Sequence, residues 1–94
     1  MKSIIPGDKP NTCFLCGIQN IYTEEHHCLH GTANRRLAEE DGLKVHLCMM
    51  CHRKLHDKGF GDKYLQEIAE EAWLKSNQTT SITDFMKRYG KNFL

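Results

Sequence analysis

The sequence predicts a small α+β domain stapled by a cross-link rather than held by its core alone. Three observations carry this. A chain of 94 residues with 39% hydrophobic content buries too small a fraction of its surface for a core to suffice. Its five cysteines and six histidines are many for that length, and the pairs Cys13–Cys16 and Cys48–Cys51 each have the Cys-x2-Cys form. Around these pairs, short stretches alternate polar and apolar as strands do, and the last third repeats apolar residues at helical spacing.

Residues 1–11, with Pro6, Gly7 and Pro10, read as a loose N-terminal arm, and residues 12–94 as one domain. Met1-Lys2-Ser3-Ile4-Ile5-Pro6 holds no apolar run of signal-peptide length, so a reducing, cytoplasmic compartment is expected. In that setting paired Cys-x2-Cys knuckles read as metal ligands. Two thiolates at this spacing turn back onto one ion, and two knuckles close a tetrahedral Zn2+ site of four sulfurs, Cys13, Cys16, Cys48 and Cys51. A redox-active pair or unliganded thiols are the alternatives. Cys28 is left over and reads as a small buried residue, because no base and orienting group accompany it.

Closing that site encloses residues 17–47, a longer separation than simple zinc ribbons use, so the insert must fold within the loop. Lys44-Val45-His46-Leu47 alternates as a half-buried strand, with His27-Cys28-Leu29 as its antiparallel partner and Gly31 to Gly42 as a long connection. His46 faces away from the site on this reading. After Cys51, His52 and His56 stand four apart on one face of a short helix, a spacing at which two imidazoles grip one ion; Gly59 caps that helix. Two C-terminal helices follow in residues 62–94. Leu65, Ile68, Ala69, Ala72 and Trp73 line the first, from Asp62 as N-cap to Ser76, with Glu67, Glu70 and Glu71 outward. Ser81 to Asp84 starts the second, which carries Phe85, Met86 and Tyr89 and ends at Gly90, leaving Phe93-Leu94 to cover the core or meet another subunit. No stretch reads as a membrane span.

His26-His27, the following strand, and Leu47-Cys48-x2-Cys51-His52-x3-His56 together resemble the His-Asn-His (HNH, ββα-metal) endonucleases of the zinc-knuckle type. The chain is also similar to small HNH proteins of tailed bacteriophages, through Gly31 to Arg35, Gly42 to Val45 and Tyr89 to Leu94. The resemblance implies a treble-clef-like ββα-metal core over residues 12–58 and metal-dependent hydrolysis of DNA. It implies His27 as general base, with His26, His52 and His56 holding a catalytic divalent ion (Mg2+, Mn2+, Ni2+ or Zn2+) apart from the structural Zn2+. A phage role in replication, recombination or packaging, alongside a packaging or recombination protein, goes with it. One departure stands out: the motif's middle Asn, five residues before the second knuckle, is Leu43 here, and in a junction-resolving branch the Asn position after the last Cys is His52. Both alignments keep His26, His27 and His52, while His56 belongs to the first. Asn34 is a candidate for the missing loop-pinning amide.

A net charge of +1 places any nucleic-acid footprint in the distribution of charge. Arg35, Arg36 and Lys44 flank the hairpin, and Arg53, Lys54 and Lys58 lie on or after the histidine helix; the acids gather at Glu39 to Asp41 and Glu67 to Glu71. Those six cations are the expected phosphate contacts. Plainer alternatives stay open: His52 and His56 joining the cysteine zinc, His26 and His27 as exposed strand residues, and a zinc module without catalysis that binds DNA or a protein partner.

Overall fold

Val45 and Leu47 are fully buried, and the alternation around them forms a strand, β2 (Lys44–Leu47). Its partner is β1 (Glu24–His27), antiparallel, with Glu24 opposite Leu47 and His27 opposite Lys44. The pairing thus begins earlier than expected. Cys28 and Leu29 leave the ladder and sink into the core, both with no exposure, while the Cys28 N–H still reaches the Leu43 carbonyl at 3.0 Å. The computed structural model, which describes residues 1–94, adds four helices to this two-stranded sheet.

The connection expected from Gly31 to Gly42 is instead a helix, α1 (Thr32–Asp41). Its sequence hid it because Ala38 is its one buried residue and Gly31, at its start, supplies no capping side chain. An Arg36–Glu40 pair at 2.7 Å, one turn apart, supports it from the solvent side. Gly42 then turns the chain into β2 with φ +74°, and a side chain there would collide with the Lys2 carbonyl.

That contact reflects a second difference. Residues 1–11 are packed: Ile5 is buried, the Ile4 N–H donates to Gly42 at 2.9 Å, and Ser3 Oγ donates to the Lys44 carbonyl at 2.5 Å. Asp8 accepts from both the backbone N–H and Nδ1 of His46 at 2.7 Å. The N-terminal segment therefore lies along the outer edge of β2.

Helix α2 (Met49–Lys58) starts on Cys48, whose sulfur accepts from the Cys51 N–H at 3.4 Å, and stops at the left-handed Gly59 as expected. Helices α3 (Asp62–Ser76) and α4 (Ile82–Tyr89) follow, α4 capped by Ser81 and closed by Gly90. Phe85 joins them, edge-on to Trp73 at 5.5 Å and stacked on Tyr89 at 4.8 Å. Asp41, at the end of α1, collects Arg88 in a fork at 2.6 and 2.9 Å, Tyr89 Oη at 2.6 Å and Trp73 Nε1 at 3.1 Å. One carboxylate so fastens both C-terminal helices to the helix between the strands.

Two residues of α3 differ from expectation. Asp62 makes no capping bond to its own helix. Glu70 is fully buried rather than outward: its Oε1 accepts from the Phe93 N–H at 2.6 Å and its Oε2 has no partner. The tail must seat its backbone somewhere, and Glu70 is the acceptor that the core provides. Burial raises the Glu70 pKa above the usual carboxylate range. The folded state then binds this proton more tightly than the unfolded state. Its contribution to stability is full below the ordinary glutamate pKa and is lost as pH rises through the raised value. Glu70→Gln is expected to gain stability relative to the wild type as pH rises above the ordinary glutamate pKa, read from denaturant midpoints at a series of pH values.

Candidate metal centre

The fold brings the two knuckles together. All four sulfurs of Cys13, Cys16, Cys48 and Cys51 lie within 4.8 Å of one another, with Cys16 Sγ 3.8 Å from Cys48 Sγ. Each knuckle turns a backbone N–H onto its own first sulfur, Cys16 onto Cys13 at 3.5 Å and Cys51 onto Cys48 at 3.4 Å. Burial pushes the Cys13 thiol up, but the backbone donors of Cys16, Cys48 and Leu15 outweigh it and bring it down to about 6. A bridge between Thr12 and Gln19 shapes the first knuckle, and a Phe14 N–H to His46 carbonyl bond of 2.8 Å ties it to β2. The cluster can hold a structural metal such as zinc. Cys28 stands outside it, with burial lifting its thiol to about 12.

A second cluster lies apart from the cysteines. His26 on β1 meets His52 and His56 on α2, with their ligand nitrogens within 4.8 Å of one another. His52 and His56 therefore do not join the four sulfurs, and His26 is no exposed strand residue: it is 4% exposed, with a buried Nε2 that has no hydrogen-bond partner. Burial, together with repulsion from the surrounding histidines, lowers the His26 pKa to about 3. A neutral, unpartnered ring nitrogen facing two other imidazoles is what a cation site needs. His52 Nε2 and His56 Nε2 approach at 3.1 Å, while His52 Nδ1 is held by Glu24 Oε1 at 3.0 Å. Glu24 thus fixes the His52 ring so that Nε2 faces the cluster, a duty that nothing in its surroundings in the sequence disclosed.

His27 lines the same cavity of about 310 Å³, along with His26, His30, Arg35, His52 and His56. Adjacent strand residues face opposite ways, yet both reach the cavity because β1 ends at His27. Glu39 of α1 lies 2.7 Å from His27 Nε2, and bonds from His27, Lys44 and the chain's amino group hold the Glu39 carboxyl down at about 2. A helix where a loop was expected supplies this partner.

The expected cations divide. Arg35 borders the cavity, and Arg53, Lys54 and Lys58 are exposed on α2; Arg36 is exposed but engaged by Glu40. Lys44 is a correction. It is buried, and its Nζ is held at 3.0 Å by both Glu25 and Glu39, so it neutralises carboxylates beside the hairpin and is not free for a phosphate. Asn34 is another: its amide donates to the Tyr89 carbonyl at 3.2 Å and ties α1 to α4. Leu43 is part of the core, and its carbonyl, not a side-chain amide, restrains the residue after His27. His30 bonds Asp62 Oδ1 at 2.5 Å.

Compared with known proteins the chain has no match: no family model fits it, and no curated protein or solved structure matches it. No helix is long and apolar enough to cross a membrane. Fold and site together define a small α+β domain with one four-cysteine cluster and one histidine-lined cavity.

Proposed function

We propose that the chain is a metal-dependent endonuclease of the ββα-metal kind, hydrolysing phosphodiester bonds of DNA, with zinc in the four-cysteine cluster. The observation that supports this reading is His26, with a buried, unpartnered Nε2 and its ring 5.2 and 5.8 Å from those of His52 and His56, in the cavity that His27 also lines. His26, His52 and His56 would hold a divalent ion there, and three imidazoles suit zinc or nickel better than the harder manganese or magnesium. Such an ion, when bound, supplies Lewis-acid stabilisation of charge on the phosphate and the leaving oxygen. The chain's own residues do the rest. His27 takes the proton of the attacking water, and Glu39 at 2.7 Å fixes its ring. Arg35, at the cavity rim, and Arg53, Lys54 and Lys58 on α2 meet the backbone phosphates without reading sequence. By the resemblance to phage HNH proteins, the setting is replication, recombination or packaging of a phage genome.

The test is conversion of supercoiled plasmid to nicked circles by the purified protein, with magnesium, manganese, nickel or zinc added in turn. Nicking that requires the added ion and stops on chelation is the expected result. Absence of cutting with every ion, in protein that binds DNA normally, would leave a zinc module that binds without catalysis.

A further inference from the structure

His26 belongs to two triads. Its ring lies 5.2 Å from that of His52 and 5.8 Å from that of His56, and on another side 5.6 Å from His30. The ligand atoms of His26, His30 and Asp62 lie within 4.8 Å of one another, as do those of His26, His52 and His56. Asp62 is well placed for this. It is the first residue of α3, yet its carboxylate makes no capping bond: Oδ1 meets His30, and Oδ2 accepts only a long 3.5 Å bond from Gln66 Nε2. Gly61 before it sits against the Leu15 side chain, which fixes where the helix begins.

The two triads differ in chemistry. One offers imidazole nitrogens alone; the other replaces one of them with a carboxylate oxygen. Oxygen ligands suit hard ions, and all-nitrogen sets suit borderline ions. We infer that His26, His30 and Asp62 form a second cation position, one that takes hard divalent ions such as Mn2+ or Mg2+, beside the all-imidazole position that takes Co2+, Ni2+ or Zn2+. The inference rests on the reading of the cavity as an ion site given above, but not on cleavage. It deepens that reading by making the cavity's metal preference a choice between two sets of ligands that share His26. It also assigns a role to the two polar residues that the base-and-ligand scheme leaves aside.

The experiment is a pair of binding titrations on the full chain with its cysteine-bound metal in place: Mn2+ followed by the electron-spin signal of the free ion, and Co2+ by its visible absorption. Asp62→Asn and His30→Gln are each expected to weaken Mn2+ binding by about ten-fold or more while leaving Co2+ within about two-fold, and His56→Ala to do the reverse. Retained Co2+ binding also reports that each variant is folded. Should Asp62→Asn disturb the start of α3, His30→Gln decides alone, because His30 is exposed and lies outside every helix and strand. The inference falls if the wild type binds no Mn2+, if both substitutions leave Mn2+ unchanged, or if they weaken Co2+ as much as Mn2+. Mn2+ binding that follows Asp62 in a protein that cuts no DNA would sink the nuclease reading and leave this one standing.

Discussion

Removing the metal from the four-cysteine cluster is expected to abolish the cooperative fold, not merely to lower its melting point. Only 21 of 94 residues are buried, and two of the connections that organise them run through the cluster. The first knuckle carries the bond from Phe14 to β2, and the second forms the start of α2, with Cys48 both a member of the cluster and the acceptor that caps the helix. A structural zinc in a small domain contributes roughly 10–16 kcal/mol of apparent binding energy, against a net stability of about 5–15 kcal/mol for a typical domain. Loss of the first term removes the second. Cys16 is the exposed member of the four, so a strong chelator has a route to the ion. Circular dichroism during chelation, with zinc release followed by a colorimetric dye, should show one zinc leaving per chain together with the helical signal. Cys48→Ser should give the same unfolded spectrum without chelator. A metal-free chain that melts at the original midpoint would make the cluster a bystander.

How much of this was legible beforehand varied with the kind of signal. The knuckles, the His52–His56 spacing and the bounds of α3 and α4 could be read because each depends on local chemistry: ligand spacing, the helical repeat, a Ser cap, a Gly stop. Helix α1 could not, since its stability comes from contacts far along the chain, Asn34 to Tyr89 and Asp41 to Arg88, and Ala38 is its one buried residue. The packed N-terminus escaped for a related reason. Its proline and glycine pattern is that of a loop, and it is a loop, but one whose Ser3 and Asp8 side chains are bonded to β2. In the cavity the histidines were visible as residues, whereas Glu24, Glu39 and Asp62 were not. Carboxylates acquire such roles only from the partner that the fold places opposite them. Lys44 and Glu70 illustrate the same limit from the other direction. Charge alone read both as surface residues, and only the packing of Glu39 beside Lys44, and of the Phe93 backbone against Glu70, accounts for their burial.

Replacing His27 with alanine is expected to lower ion-dependent nicking by about 10²–10⁴-fold while leaving both metal sites filled. On the proposed nuclease reading, the size follows from what is lost: a positioned group that takes the proton from water, with nothing in the cavity suited to replace it. His26 is buried and unprotonated but faces His52 and His56, and His30 is engaged by Asp62. The proposed ligand set of His26, His52 and His56 does not include His27, so Co2+ binding to the cavity should stay within about two-fold of the wild type. Added imidazole should restore part of the activity, because it returns the missing base and nothing else. Glu39→Gln offers a graded companion. It keeps the shape beside His27 but withdraws the charge that holds its Nε2, and also one of the two carboxylates that neutralise the buried Lys44. That variant should therefore lose nicking rate and, because it also withdraws a partner from the buried Lys44, more thermal stability than His27→Ala. His46→Ala supplies the contrast, since His46 is bonded to Asp8 outside the cavity and its removal should leave cleavage intact. If His27→Ala nicks at the wild-type rate with its ions in place, His27 is not the base. The proton would then have to leave by another route, and the Glu39 contact would be no more than a tie between α1 and β1.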